Sequence, residues 1–196
     1  MAPRLKEHYE KNITPSLMKE LGIANVMEVP KVTKISINAG VGKIAVRDKK
    51  LVDNIAHNIA AITGQHPQTT YSRKSIAGFK LRQGMPVGLV VTLHGNRMYE
   101  FLDRLVSVTL PRVRDFRGLN AHSFDKDGNY SIGIREHVVF AELPPESSEF
   151  SHGLQVNISI AHSNKERSYT LLKHMGFPLQ EKASTSGNKK KKKTRK

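Results

Sequence analysis

The sequence predicts an α+β fold built on a mostly antiparallel sheet, and three observations point to it. Residues 31–38 and 154–160 alternate apolar and polar side chains, as half-buried strands do. Other segments place apolar residues three and four apart, which is the spacing of one helix face. The two kinds of segment follow each other in the order α β α β β α β β α. The 196 residues suit about one domain, and we expect it to span residues 1–180.

The first helix and strand show both patterns. The helix spaces its apolar residues four apart, and Thr14-Pro15 predicts a kink or a restart within it. The strand that follows Pro30 has two faces. Its expected core residues are Thr33, Ile35, Ile37 and Ala39, and its expected polar residues are Lys34, Ser36 and Asn38.

The rest of the order follows from the same signals. A second helix stripe over 51–62 ends at Gly64, and a short strand over 66–71 and a loop over 72–85 follow. A strand over 87–94 leads to a third helix that ends at Pro111. The last three elements are a strand through Ile132, Ile134, Val138 and Phe140, the strand over 154–160, and a helix opened by a capping box, Ser163 to Glu166.

Two β-α-β passes around a central strand pair predict the split arrangement of ferredoxin-like sheets, with helices on one face. The other face is then open and polar, with Lys34, Asn38, Thr92 and His94 among its residues. An open polar sheet face beside a basic loop is a suitable surface for RNA.

The charge is distributed unevenly along the chain. The formal net charge is +15, which favours a polyanionic partner. Residues 181–196 hold eight basic side chains against one Glu, and residues 54–99 hold five basic side chains and no acid. Residues 136–153 show the reverse bias: they hold no Lys or Arg but four acids, Glu136, Glu142, Glu146 and Glu149.

The lysine-rich tail, 181–196, has no apolar face to bury, so we expect it to be disordered. Sequence-independent phosphate binding is its functional interpretation. A solvated tail without a ligand and a nuclear-import signal are the alternatives.

The composition excludes several classes of protein. The chain has no Cys, so disulfides, thiolate metal sites and cysteine nucleophiles are excluded. No apolar run approaches about 18 residues, and the first residues lack a signal-peptide pattern, so we expect a cytoplasmic protein without a membrane partner.

The motifs for small-molecule chemistry are weak, and we expect no cofactor. Gly40 to Ala45 formally matches a dinucleotide fingerprint, but the acid expected after the next strand is missing, which favours a tight turn. Asp125 to Asn129 resembles a calcium loop whose Gly comes too early, so a turn is again favoured. The nine His show no zinc spacing, and no Gly-x-Ser-x-Gly elbow exists.

The strongest candidate site is the loop over 72–85. Its candidate RNA-binding residues are Arg73, Lys74, Ser75, Phe79, Lys80 and Arg82. Phe79 could stack on a base, and the alternative is that it anchors the loop to the core. A second basic group follows the third helix: Arg112, Arg114 and Arg117. The alternative there is a face of ion pairs with Asp103 and Asp115.

Four segments also carry a family resemblance. They are Asn38-Ala-Gly-Val-Gly42, Lys74-Ser-Ile-Ala-Gly-Phe-Lys-Leu-Arg82, Arg97-Met-Tyr-Glu-Phe-Leu-Asp-Arg-Leu105 and Pro111-Arg-Val-Arg-Asp-Phe-Arg-Gly118. From about Arg4 to Pro178 the chain resembles the family of ribosomal protein five of the bacterial large subunit. The resemblance implies a non-enzymatic protein that attaches 5S rRNA to 23S rRNA in the central protuberance. It further implies contacts with P-site tRNA, neighbouring large-subunit proteins and a small-subunit head protein.

The resemblance also assigns roles to residues. It implies 5S rRNA binding by Asn38, Gln65 and Thr92, and contact with tRNA by the loop from Lys74 to Gly84. We add Lys34, on the polar face of the same predicted strand as Asn38, to the expected 5S rRNA-binding residues. The acidic stretch around 136–149 corresponds to the side that faces the small subunit, where its charge would suit a basic head protein. The lysine-rich tail extends beyond the family pattern.

Overall fold

The computed structural model describes residues 3–46, 48, 50–143 and 151–180. The helices are α1 (Arg4–His8), α2 (Thr14–Leu21), α3 (Gly42–Ala45), α4 (Lys50–Thr63), α5 (Gly95–Arg104), α6 (Leu110–Arg112) and α7 (Lys165–His174). The strands are β1 (Lys31–Gly40), β2 (Gln68–Tyr71), β3 (Pro86–Leu93), β4 (Tyr130–Ile134) and β5 (Leu154–Ala161). The lysine-rich tail, predicted to be disordered, lies outside the described residues.

The five strands form one sheet in the order β2-β3-β1-β5-β4, and every neighbouring pair is antiparallel. Strands β2, β3, β1 and β5 have the split order of a ferredoxin-like sheet, and β4 extends the edge beside β5. The helices cover the apolar face, where their buried residues join those of the strands in one core. The predicted α+β class and antiparallel sheet are therefore confirmed.

Strand β1 lies at the centre of the sheet and shows why its two faces differ. Ile35 and Ile37 are 0 % and 2 % exposed, whereas Lys34 and Asn38 are exposed. The prediction that Thr33 is buried is wrong. The register shifts between Val32 and Lys34, and this irregularity leaves Thr33 exposed, with its hydroxyl donating to the Ser159 carbonyl at 3.1 Å.

The predicted continuation of β4 through Val138 and Phe140 is also wrong. The strand ends at Ile134, and His137–Val139 forms a 3-10 turn. Phe140 is buried all the same, because this turn brings its ring over Phe101, with the ring centroids 6.5 Å apart. The apolar residues of this segment reflect burial in a turn and not the alternation of a strand.

Two long helical stretches contain a wide turn just before a proline. A π-helical turn over Tyr9–Ile13 joins α1 to α2, and another over Leu105–Thr109 joins α5 to α6. Pro15 and Pro111 follow within the next turn, where a proline provides no N–H for the helical hydrogen bond. The break predicted at Thr14-Pro15 is therefore a change of helical pitch within a continuing helical path.

The N-cap of helix α7 is Asn164, one residue later than Ser163, which the predicted capping box would use. The Asn164 side chain accepts a hydrogen bond from the Arg167 N–H at 3.0 Å and caps the helix. Ser163 instead bonds to the Ser168 hydroxyl at 2.6 Å. Asn is as good a cap as Ser, so the start of the helix was predictable to within one residue.

Candidate nucleic-acid interface

The face of the sheet opposite the helices is polar, and we call it the polar sheet face. The strand register brings its side chains together. They are Lys31, Lys34, Ser36, Asn38 and Gly40 of β1; Gln68 and Thr70 of β2; Gly88, Val90 and Thr92 of β3; Ser131 and Gly133 of β4; and Gln155, Asn157 and Ser159 of β5. Among these strand residues two lysines are the only charges and there is no carboxylate. The face therefore offers amides, hydroxyls and positive charge, which suits a polyanion with hydrogen-bonding edges.

Asn38 lies near the middle of this face. It stands opposite Val90 on β3 and Gln155 on β5, and it is exposed. Gln155 donates from Nε2 to Oδ1 of Asn157 at 3.1 Å, so a row of amides runs beside it. An amide presents donors and an acceptor together, which is what reading a base edge requires.

A pair of glycines flattens the polar sheet face where it meets the 72–85 loop. Gly40 stands opposite Gly88. A Cβ added at Gly40 would meet nothing within 4 Å, whereas one at Gly88 would lie 2.9 Å from the Thr70 hydroxyl. That hydroxyl already donates to the Gly88 carbonyl at 2.9 Å. Because neither glycine has a side chain, the backbone of a ligand can approach this corner of the face closely.

The loop over 72–85 is a hairpin that extends from β2 and β3. The Ser72 N–H donates to the Met85 carbonyl at 2.8 Å, and Ile76 and Leu81 exchange backbone hydrogen bonds of 3.0 and 3.2 Å. Lys80 adopts a left-handed φ of 55° at the tip. The Ser75 hydroxyl accepts from the Gln83 N–H at 3.1 Å, so Ser75 also shapes the hairpin from within.

The hairpin presents unpaired cations and exposed apolar side chains. Its four basic residues, Arg73, Lys74, Lys80 and Arg82, are exposed and form no ion pair with any carboxylate of the described chain. Phe79 is 72 % exposed, so the alternative that it anchors the loop to the core is wrong. Tyr71 and Ile76 are 63 % and 45 % exposed. An aromatic ring held in solvent among cations is suited to stacking on a base.

The predicted 5S rRNA-binding residues do not all lie on the polar sheet face. Lys34, Asn38 and Thr92 do. Gln65 is half-buried in the turn before β2, where its N–H and carbonyl both bond to the Thr63 hydroxyl, at 3.2 and 2.9 Å.

Sequence reasoning did not include Gln68, Thr70 and Ser131 in the site. Gln68 and Thr70 lie on β2 and Ser131 lies on β4, the two edge strands, and which strands form the edges depends on the long-range order of the sheet.

The second basic group begins with Arg112, the last residue of α6, and continues with Arg114 and Arg117 after the helix. All three side chains are exposed, and none forms an ion pair within the described part of the chain. The alternative pairing with Asp103 is wrong, because Asp103 binds Arg4 through contacts of 2.6 and 3.1 Å. That hydrogen bond is the main reason why the pKa of Asp103 lies below its usual value.

Fewer carboxylates of the acidic stretch are available to a partner than its composition indicates. Glu136 is exposed, but Glu142 forms a 2.6 Å ion pair with Arg104, which also donates to the Ile62 carbonyl at 2.9 Å. Glu146 and Glu149 lie outside the described residues.

The Gly40–Ala45 motif turns from the end of β1 into the short helix α3, and Asp125 to Asn129 forms a turn. The N–H of Val41 donates to the Val87 carbonyl at 2.9 Å, which closes the Gly40–Ala45 turn against β3. Asp125 accepts from the backbone and side-chain N–H groups of Asn129 at 2.7 and 2.8 Å. No group of three metal-ligating side chains occurs among the described residues.

The helices of the described chain are all too short or too polar to span a membrane.

Comparison with known families gives two matches that together cover most of the chain. Residues 25–82 match the family described as Ribosomal protein L5, and residues 86–179 match the ribosomal L5P family C-terminus. The two matches meet in one sheet, since β1 and β2 fall in the first and β3, β4 and β5 in the second. The chain belongs to the ribosomal protein L5 family, whose members are structural, rRNA-binding proteins of the ribosome and take part in translation.

Proposed function

We propose that this chain binds 5S rRNA on its polar sheet face and helps attach it to 23S rRNA in the central protuberance of the large subunit. One observation carries the proposal: a sheet face of amides, hydroxyls and two lysines without a carboxylate continues into a hairpin with four unpaired cations. Such a surface combines phosphate attraction with groups that can read base edges.

The centre of the face supplies the selectivity. Asn38 and Thr92 lie on adjacent strands, and Lys34 lies further along β1 on the same side. Neutral donors and acceptors discriminate between bases, whereas the lysine adds a phosphate contact of low specificity. Gln65, in the turn before β2, is a further proposed contact with the RNA at the edge of the interface.

The hairpin is the proposed contact with P-site tRNA. It extends past the end of the sheet and carries Phe79 in solvent, with Lys80 beside it at the tip and Arg82 close by. A base or the exposed surface of a folded tRNA can stack on the ring while the cations bind its phosphates.

The acidic side is the proposed contact with a small-subunit head protein. Glu136 is exposed and free to face a basic partner, whereas Glu142 is already bonded to Arg104. Exposed charges of this kind steer association more than they add affinity. We expect Glu136→Gln to slow association with the purified head protein several-fold. Glu7→Gln, which removes an exposed acid from α1, is the control.

The experiment for the 5S rRNA site adds bulk instead of removing a side chain. Gly40→Leu adds a side chain to the polar sheet face at a position where an added Cβ meets nothing within 4 Å, so we expect the fold to tolerate it. We expect the affinity for 5S rRNA to fall at least about tenfold, or roughly 1.4 kcal/mol. The control is Ala61→Leu, which places the same leucine side chain on the exposed side of α4.

Both variants are compared by gel shift with purified 5S rRNA and by thermal unfolding. If Gly40→Leu binds 5S rRNA as tightly as Ala61→Leu does, the polar sheet face is not where that RNA lies.

A further inference from the structure

Residues 135–143, which follow β4, contact one face of helix α5. Nη1 of Arg104 donates to Oε1 of Glu142 at 2.6 Å, and the ring of Phe140 stacks on that of Phe101 with the centroids 6.5 Å apart. Phe101 and Arg104 are three positions apart on α5, so neighbouring turns of the helix provide both contacts. The Glu142 side chain is only 22 % exposed, so the ion pair is partly shielded from solvent.

The end of α4 fixes Arg104 as well. Nη2 of Arg104 donates to the Ile62 carbonyl at 2.9 Å, and Ile62 lies in the last turn of α4, where carbonyl groups lack helical partners. The two hydrogen bonds leave from different nitrogens of one planar guanidinium group, so its orientation is set. Arg104 therefore joins two helices to the 135–143 segment.

Hydrogen-bonded turns connect the ion pair to the residue beside Glu136. The Leu143 N–H donates to the Phe140 carbonyl at 3.4 Å, and the Phe140 N–H donates to the His137 carbonyl at 3.1 Å. His137 is 0 % exposed, and its N–H donates to the His152 carbonyl at 3.1 Å. The rings of His137 and His152 stack with their centroids 4.1 Å apart. The backbone that presents Glu136 is thus ordered by the same segment that Arg104 holds.

The orientation of this segment decides which charge a partner meets. Glu136 is exposed, and it directly follows Arg135, an exposed cation. A basic partner is attracted by a carboxylate and repelled by a cation at the same place. A segment that lost its orientation would therefore weaken the attraction.

We infer that Arg104 is a positioning residue for the contact with the small-subunit head protein, because it holds the 135–143 segment so that Glu136 faces the partner. The inference rests on the proposed function in taking that basic protein as the partner. It goes further in assigning the orientation of the carboxylate to an arginine of α5. The guanidinium charge of Arg104 itself opposes association with a basic protein, so only its hold on the segment favours the contact.

The first experiment measures the rate at which the full-length chain associates with the purified head protein. Arg104→Gln removes a cation, which by charge alone would speed association with a basic protein. We expect it instead to slow association several-fold, because the segment loses its orientation. The control is Arg4→Gln, which also removes a cation and breaks the 2.6 Å ion pair with Asp103 on the same helix. The control should not slow association.

A double variant tests whether Arg104 acts through Glu136. Arg104→Gln combined with Glu136→Gln should slow association by less than the product of the two separate effects, because the attraction of that carboxylate can be lost only once. Fully multiplicative effects would mean that Arg104 influences association by another route, contrary to the inference.

The second experiment measures the hold on the segment without the partner. Amide hydrogen exchange is followed at His137 and Phe140, whose N–H groups are bonded within and beside the segment. We expect Arg104→Gln to speed exchange at both amides by about tenfold, the size expected when one charge-assisted hydrogen bond is lost. Arg4→Gln should leave both rates unchanged.

Arg104→Lys keeps the test decisive if Arg104→Gln fails to fold. It retains the charge, but its side chain ends in a single nitrogen and cannot bind Glu142 and Ile62 in the same fork geometry. Its exchange and association rates should lie between those of the unsubstituted chain and those of Arg104→Gln or, where that variant does not fold, differ from the unsubstituted rates in the same direction. Thermal unfolding identifies the folded variants.

Two further results would overturn the inference. One is exchange at His137 and Phe140 that the substitution of Arg104 leaves unchanged, because Arg104 would then not hold the segment. The other is an Arg104→Gln variant that associates as fast as Arg4→Gln, because only its charge would then matter. Failure of the proposed function would look different: Glu136→Gln would associate as fast as Glu7→Gln while Arg104→Gln still sped exchange, and Arg104 would have no such contact to position.

Discussion

The two faces of strand β1 share one backbone but differ in burial and in side-chain polarity. Ile35 and Ile37 point into the core, covered by helices, and are 0 % and 2 % exposed. Lys34, Ser36 and Asn38 alternate with them and point to the polar sheet face. Under the proposed function, alternate residues of this strand therefore serve stability and RNA recognition. Substitutions on one face should change the free energy of unfolding, and those on the other should change RNA affinity.

The largest expected effect is on the core face. Ile37 stands opposite Val91 on β3 and Val156 on β5, and all three are buried. Ile37→Ala should lower the free energy of unfolding by about 2–5 kcal/mol, because it removes buried methyl groups and leaves a cavity. Denaturant titration measures this decrease. A drop in 5S rRNA affinity while the variant is still fully folded would contradict the separation of the two faces.

The next effect is on the polar face, at the neighbouring residue. Asn38→Ala should weaken 5S rRNA binding by about 1–3 kcal/mol, because partners on the RNA lose their hydrogen bonds. Its unfolding temperature should stay close to that of the unsubstituted chain, since Asn38 is exposed. Asn54→Ala, on the exposed side of α4, is the control and should change neither quantity. Equal RNA affinity for the two variants would exclude Asn38 from the interface.

A smaller effect is expected at the hairpin tip. Phe79→Ala should cost about 1 kcal/mol of affinity for tRNA, the lower end of the range for one base–aromatic stack. Stability should hardly change, because the ring is 72 % exposed. Met27→Ala removes another side chain, 69 % exposed, from a turn outside the hairpin and is the control. If Phe79→Ala lowers the unfolding temperature and leaves tRNA binding unchanged, the ring has a structural role.

The smallest effect concerns the ion pair of Arg4 with Asp103, far from the polar face. Because Arg4 lowers the pKa of Asp103, the carboxylate stabilises the fold above its ordinary pKa of 3.8, and this contribution is lost as pH falls through the lowered folded-state value. The Arg4 side chain is 77 % exposed, so solvent weakens the pair and the change is small. Unfolding temperatures should fall less on acidification for Asp103→Asn than for the control, Asp127→Asn. The opposite order would contradict the assignment.

Much of the fold was predictable because β1 and β5 alternate so regularly. Periodicity identifies the faces of a strand, and the element order restricts how strands can neighbour each other. The errors have local causes. Thr33 follows the alternation, but a shift of register in β1 exposes it, and Val138 and Phe140 are spaced like a strand but lie around a turn. Neither a register shift nor a buried turn changes the spacing of apolar residues in the sequence.

The candidate site was predictable only in part, and the limit is long-range contact. The cations of the hairpin were visible in the sequence because no acid occurs near them. That Asp103 binds Arg4 across 99 positions, or that Arg104 neutralises Glu142, depends on the packing of helices. Gln180 donates from its side-chain amide to the Arg117 carbonyl and from its N–H to the Leu119 carbonyl. These contacts have no sequence signal, because both end on backbone carbonyls.

Modification of lysines in the presence and absence of 5S rRNA tests most directly which face binds RNA. The unsubstituted chain is treated with an acetylating reagent, and modification at each lysine is read by mass spectrometry. Lys34 lies on the polar sheet face and Lys74 and Lys80 lie on the hairpin, whereas Lys19 and Lys173 lie on the helical side. We expect bound 5S rRNA to protect Lys34 strongly, to protect the hairpin lysines to a lesser degree, and to leave Lys19 and Lys173 unchanged. Modification of Lys34 that is equally fast with and without the RNA would contradict the proposed interface.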